Sequence, residues 1–170
     1  MEVLKCKFRD PISFLTHFFG FIVSIPIMVI LIMQGYKINT YYSLSLGIFG
    51  ISLMLLYGAS ALYHAIKSTP DKILLLRKID HAMIFILIAG TYTPICKIIL
   101  EDSYGDVLLN LIYVIMVIGI LISVFFINAP RKLTTSIYLI MGWLSLSAFV
   151  PLMRRIPPFG IVFLVTGGLM

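Results

Sequence analysis

Long apolar runs alternate with short polar connections along the whole chain. About 20 apolar residues in a helix cross the hydrocarbon of a bilayer. By that ruler the pattern predicts helices over 14–35, 41–66, 79–100, 107–127 and 133–153, and an incomplete one over 159–170. The last run stops without a closing charge, an interfacial aromatic or a tail, so the chain reads as a fragment lacking the end of that span. The connections are short and carry Gly, Asn, Pro and Asp, with no linker, low-complexity segment or internal repeat. The expected fold class is all-α: one integral membrane domain over 1–170, a polytopic transmembrane helical bundle with about five and a half helices present. Pro26, Pro94 and Pro151 lie within spans or near their ends, and each is a candidate kink. Gly47, Gly50, Gly58, Ala59, Gly119 and Gly142 are small enough for close helix approach.

Composition removes the soluble alternatives. Of 170 residues, 61% are hydrophobic and 12% charged, and the mean hydropathy is +1.08. Soluble domains carry about 25% charged residues. A soluble domain with a conventional core is excluded, and nucleic-acid binding with it. The net charge of +6 resides in the short connections and suits anionic lipid headgroups. The basic start (Lys5, Lys7, Arg9) precedes an apolar run too long for a signal-peptide core, and no small-x-small cleavage site follows. The first helix is therefore read as retained. Cys6 and Cys96 fall on opposite sides of the membrane and lack CxxC spacing, which argues against a disulfide.

Charge placement sets orientation. Lys5, Lys7, Arg9, Lys67, Lys72, Arg77, Lys78, Arg131 and Lys132 fall on one side; Lys37, Lys97, Arg154 and Arg155 fall on the other. Cytoplasmic loops carry the excess of basic residues, so the N-terminus is expected in the cytoplasm and the protein in the cell membrane. The acidic stretch from Glu101 to Asp106 then lies outside. It lacks calcium-loop spacing and reads as a solvated turn.

With that topology His17, His64, Asp80 and His81 gather at the cytoplasmic rim. Ionisable groups in such a place are expensive and ask for a reason. Ser60 and His64 are one turn apart on one helix. Asp80 shares a face with Ile84, Leu87, Thr91 and Pro94, while His81 is rotated about 100° from it. Imidazole, carboxylate and hydroxyl together suit metal-assisted hydrolysis: a histidine on zinc, a carboxylate for the water proton, a serine to orient the water or a carbonyl. Plainer readings stand beside it. His64 serves as an interfacial histidine bonded to a carbonyl. Asp80 caps the third helix or pairs with Arg77 or Lys78. His17 satisfies a buried partner, His81 is a supporting residue, and Gly90-Thr-Tyr-Thr-Pro94 is only a kink.

The segments Asp10-Pro-Ile-Ser, Thr16-His17-Phe-Phe-Gly20, Ser60-Ala-Leu-Tyr-His64, Asp80-His81-Ala-Met-Ile and Ala89-Gly-Thr-Tyr-Thr-Pro94 resemble the hemolysin III family of bacterial membrane proteins. That family is related to the progestin and adipoQ receptors and, more distantly, to the alkaline ceramidases. The resemblance implies a seven-helix bundle with a cytoplasmic N-terminus and a zinc ion near the cytoplasmic side. It implies His64 as a zinc ligand, Asp80 and Ser60 as partners of the zinc-bound water, and two further histidines from an His-x-x-x-His motif on a seventh helix. No such motif occurs in these 170 residues. Support from His17 and His81 completes the expected site. The expected activity is hydrolysis of a lipid amide or ester drawn from the bilayer; the alternatives are a cytolytic pore and a receptor-like or homeostatic membrane protein.

Overall fold

A computed structural model describes residues 8–126 and 131–169. Lys5, Cys6, Lys7, Ile127 and Met170 lie outside the described residues, as does the side chain of Arg131. The helices are α1 (Pro11–Tyr36), α2 (Thr40–Ala65), α3 (Pro70–Pro94), α4 (Ser103–Phe125), α5 (Arg131–Ser147), α6 (Phe149–Arg155) and α7 (Pro158–Leu169). A π-helical turn over Ile95–Ile99 extends α3. The described residues form a polytopic helical bundle. Four of these helices are long and apolar enough to span a bilayer, or five if α5 and α6, bent against each other, make one span.

Local chemistry fixes the starts. Asp10 caps α1, accepting from the Ser13 amide at 3.4 Å, with Pro11 in the first turn. Asn39 caps α2 through the Tyr42 amide at 2.8 Å, and Asp102 caps α4 through the Gly105 amide at 3.0 Å. Each carboxylate or amide oxygen satisfies an amide that the first turn leaves without a partner.

Two expected boundaries are corrected. The third helix opens at Pro70, not Ile79. Lys72, Arg77 and Lys78 depress hydropathy without preventing helix, and Thr69-Pro70 supplies an N-cap position and a proline already set for the first turn. Asp80 and His81 therefore lie well inside α3, and Asp80 does not cap it. The fifth span is not continuous: α5 ends at Ser147 and the axis turns by 49° into α6. Pro151 accounts for the break, because its ring clashes with the carbonyl four residues back, that of Ser147.

Small residues set the packing. A side chain on Gly50 would meet Met28, and one on Gly119 would meet the Phe85 ring. Gly142 is the exception, with nothing within 4 Å. The Gly90–Pro94 segment works as a packing hub rather than a bare kink. Gly90 admits Ser52 of α2, the buried Tyr92 hydroxyl donates to the Met141 carbonyl of α5 at 2.6 Å, and Thr93 shares a 2.8 Å hydrogen bond with Tyr113 of α4. The core around it holds Phe85, Ala89, Ile112 and Met141. Cys96 is buried there and free.

Candidate functional site

The connection of α1 to α2 reverses the chain, so the start of α1, the end of α2 and the start of α3 share one rim. Two backbone hydrogen bonds stitch that rim. Asp10 N–H donates to the His64 carbonyl at 3.0 Å and Arg9 N–H to the Ala65 carbonyl at 3.4 Å. They satisfy carbonyls that the last turn of α2 leaves open. The Arg9 guanidinium lies 3.9 Å from the centre of the Tyr63 ring, a cation–π contact that holds the strap down.

The strap brings Asp10 to His64. Asp10 Oδ2 lies 3.3 Å from His64 Nδ1, with the His64 side chain 21% exposed and that of Asp10 46%. The approach is close enough for an ion pair but off line for a hydrogen bond, so Nδ1 is buried without a hydrogen-bond partner. The Ser13 hydroxyl donates to the same Asp10 oxygen at 2.7 Å. That bond, more than any other influence, holds the Asp10 carboxyl below the usual carboxylate range; the nearby His64 acts in the same direction.

His17 completes the cluster. Its ring stacks on His64 with centroids 5.4 Å apart and planes at 24°. His17 Nδ1 donates to the Ser13 carbonyl at 2.7 Å. A carbonyl only accepts, so Nδ1 carries the proton and the Nε2 of the neutral ring carries the lone pair. Tyr63 meets His64 edge-on at 4.9 Å. Ser60, one turn from His64, is buried.

Of the expected residues, His17, His64 and Ser60 come together around the α1–α2 rim. Asp80 and His81 are half-buried on α3. The Tyr138 hydroxyl of α5 donates to the His81 carbonyl at 2.9 Å. Among the described residues Asp80 forms no ion pair with His64. Nor do any three His, Cys, Asp or Glu side chains converge as a metal site there. His64 thus fits zinc as one donor, and the described residues do not complete a ligand set. Asp10 is the residue that spacing alone did not mark. Its signal was local, an Asp-Pro pair followed by serine, which is a helix start; its approach to His64 is long-range.

At the opposite rim the turn is exposed, as expected, and is also laced by ion pairs. Lys97 meets Asp106 at 2.6 Å, Arg155 meets Asp102 at 3.3 Å, and the Tyr42 hydroxyl donates to Glu101 at 2.6 Å.

Fold and rim together define a multi-pass helical membrane protein with a histidine–carboxylate cluster at one surface. The haemolysin-III related family model matches residues 7–170, and the chain belongs to that family. It is 38% identical to Hemolysin-3 of Bacillus cereus over 92% of this chain and 71% of that protein. It is likewise 38% identical to the Hemolysin-3 homolog of Bacillus subtilis, over 92% of this chain and 73% of that one. No solved structure gives a significant match.

Proposed function

We propose that this chain carries the His64 part of a zinc-dependent hydrolase centre at the cytoplasmic side of the cell membrane, acting on a lipid amide or ester. The observation that carries the reading is the His64 imidazole. Its Nδ1 is buried without a hydrogen bond, beside a carboxylate and one turn from a buried serine. A proton on Nδ1, facing the Asp10 carboxylate, would leave the Nε2 lone pair as the metal donor. Zinc, when bound, supplies a water of lowered pKa and a Lewis acid.

The chain's own groups take the remaining roles. His64 is the metal donor, and Asp10 is placed to fix its tautomer and ring orientation, as carboxylates behind ligating histidines do. Ser60 orients the water or the substrate carbonyl, and Asp80 accepts the proton. His17 braces His64 by stacking, and His81 fixes α3 against Tyr138 through its backbone carbonyl. The orientation follows from the lysines and arginines on the His64 rim. The single membrane domain over 1–170 belongs to the same proposal.

Zinc per polypeptide, measured on the purified full-length protein with and without His64→Ala, tests this. The variant is expected to lose its zinc; equal stoichiometry would sink the assignment. Asp10→Asn is expected to weaken zinc binding about 10- to 100-fold while His64 remains. A second reading, a cytolytic pore, draws on the names of the Bacillus relatives. A pore needs polar lining through the membrane's depth. Conductance in planar bilayers that persists in a His64→Ala, Asp80→Ala double variant would favour it.

A further inference from the structure

We propose that the groove between α1, α2 and α3 on the N-terminal half of the bundle is a docking site for an anionic glycerophospholipid. The lipid is held by one acyl chain in the groove and by Lys72 at its phosphate. The groove encloses about 540 Å³. Phe14 and Phe18 of α1 form one wall, Leu76 and Ile79 of α3 the other, and Gly58 and Ala59 of α2 the floor. Its lining is almost wholly apolar, which suits a hydrocarbon chain and nothing polar.

The groove is separate from the histidine cluster. At about 100° per residue, the α2 floor around Gly58, Leu55 and Leu62 lies on the side of the helix away from Ser60. That same side exposes Leu44, Ile48, Ile51 and Leu55, the apolar surface a membrane helix turns to lipid. The occupant is thus drawn from the bilayer itself and does not lie on the path to His64.

Charge selects which lipid. Lys72, Leu76, Ile79 and Met83 follow one another at steps of four, three and four, a single stripe along α3. Leu76 to Met83 spans about 10 Å of helix, and Lys72 lies about 6 Å beyond, on the rim side. That is where the headgroup of a lipid seated in the groove comes to rest. Lys72 is exposed and forms no ion pair among the described residues. Two neighbouring cations are engaged: Arg9 on the Tyr63 ring and Lys78 on the Val124 carbonyl, at 2.7 Å. By the orientation read from the basic residues, this leaflet is the cytoplasmic one.

Native mass spectrometry of the purified protein with equal palmitoyl-oleoyl phosphatidylglycerol and phosphatidylcholine tests the site. About fivefold higher occupancy by phosphatidylglycerol is expected, the preference one lysine near the surface confers. Lys72→Gln is expected to bring the ratio near one. Ala59→Phe, filling the floor, is expected to lower occupancy by both lipids while helicity and monodispersity stay unchanged. Equal occupancy in the wild type, or an unchanged ratio in Lys72→Gln, overturns the proposal. So does a cross-linked dimer through the groove walls. Should Ala59→Phe fail to fold, phosphatidylglycerol carrying a diazirine on its acyl chain decides on wild-type protein. Labelling within 14–21, 54–62 and 76–83 supports the site, and labelling elsewhere refutes it.

Discussion

At His64 the imidazole is held from three directions: a stacked His17, an edge-on Tyr63 and the Asp10 carboxylate. Asp10 is the economical residue here, because one side chain caps α1, receives the Ser13 hydroxyl and faces His64. Its depressed pKa has a definite consequence for stability. A carboxyl whose folded pKa lies below the unfolded value stabilises the protein above about pH 4 and loses that contribution as pH falls through the folded value. Thermal unfolding in detergent is expected to drop for wild type on acidification through that window. Asp10→Asn should be less stable at neutral pH and flatter below pH 4. Parallel curves for the two proteins would remove Asp10 from the account. The nearness of His17 and His64 to one rim was legible from hydropathy and charge, whereas His81 lies well inside α3. The pairing of His17 with His64 was not, because it depends on how α1 is rotated against α2, which is set by long-range packing such as Gly20 against Tyr57.

Helices show where a hydropathy ruler stops being informative. It measures how well a segment sits in lipid, so it found the apolar part of α3 and missed its basic opening from Pro70. It also read α5 and α6 as one run, because Pro151 is apolar on a hydropathy scale and a helix breaker by geometry. Glycines divide by what they face, which sequence does not reveal. Gly90 and Gly142 both lie inside spans and look alike in the sequence. Gly90→Ala forces a methyl onto Ser52 and is expected to cost about 1–3 kcal/mol of stability. Gly142→Ala meets nothing within 4 Å and is expected to stabilise its helix by about 0.5–1 kcal/mol. Unfolding of the two variants side by side in one detergent checks the contrast; equal effects would mean that the α2–α3 contact at Ser52 is not close.

The whole molecule has two unlike ends. One rim carries His17, His64, the Arg9–Asp10 strap and the exposed Lys72; the other is laced by Lys97–Asp106 and Arg155–Asp102. Single-cysteine labelling with an impermeant maleimide tests the proposed sidedness in intact cells. In a Cys6→Ser, Cys96→Ala background, Ser103→Cys is expected to react from outside and Ser68→Cys only after the cells are opened. The reverse pattern would invert the topology and place the His64 cluster and the lipid groove in the outer leaflet.

The two hydrogen bonds from Arg9 and Asp10 to the end of α2 also bear on time. At its far end the α1–α2 pair is already closed by Gly35 against the Ser43 backbone and by the Ser43 hydroxyl on the Ile32 carbonyl, at 3.1 Å. With the strap in place, the pair is tied at both ends by residues that all precede Lys67 in the chain. Nothing synthesised later is needed to complete it. During synthesis it can therefore leave the insertion machinery as a finished unit, and α3 arrives at a surface already formed. The contacts that would let the pair do so are local to the first 65 residues and include the same backbone groups that bring Asp10 to His64.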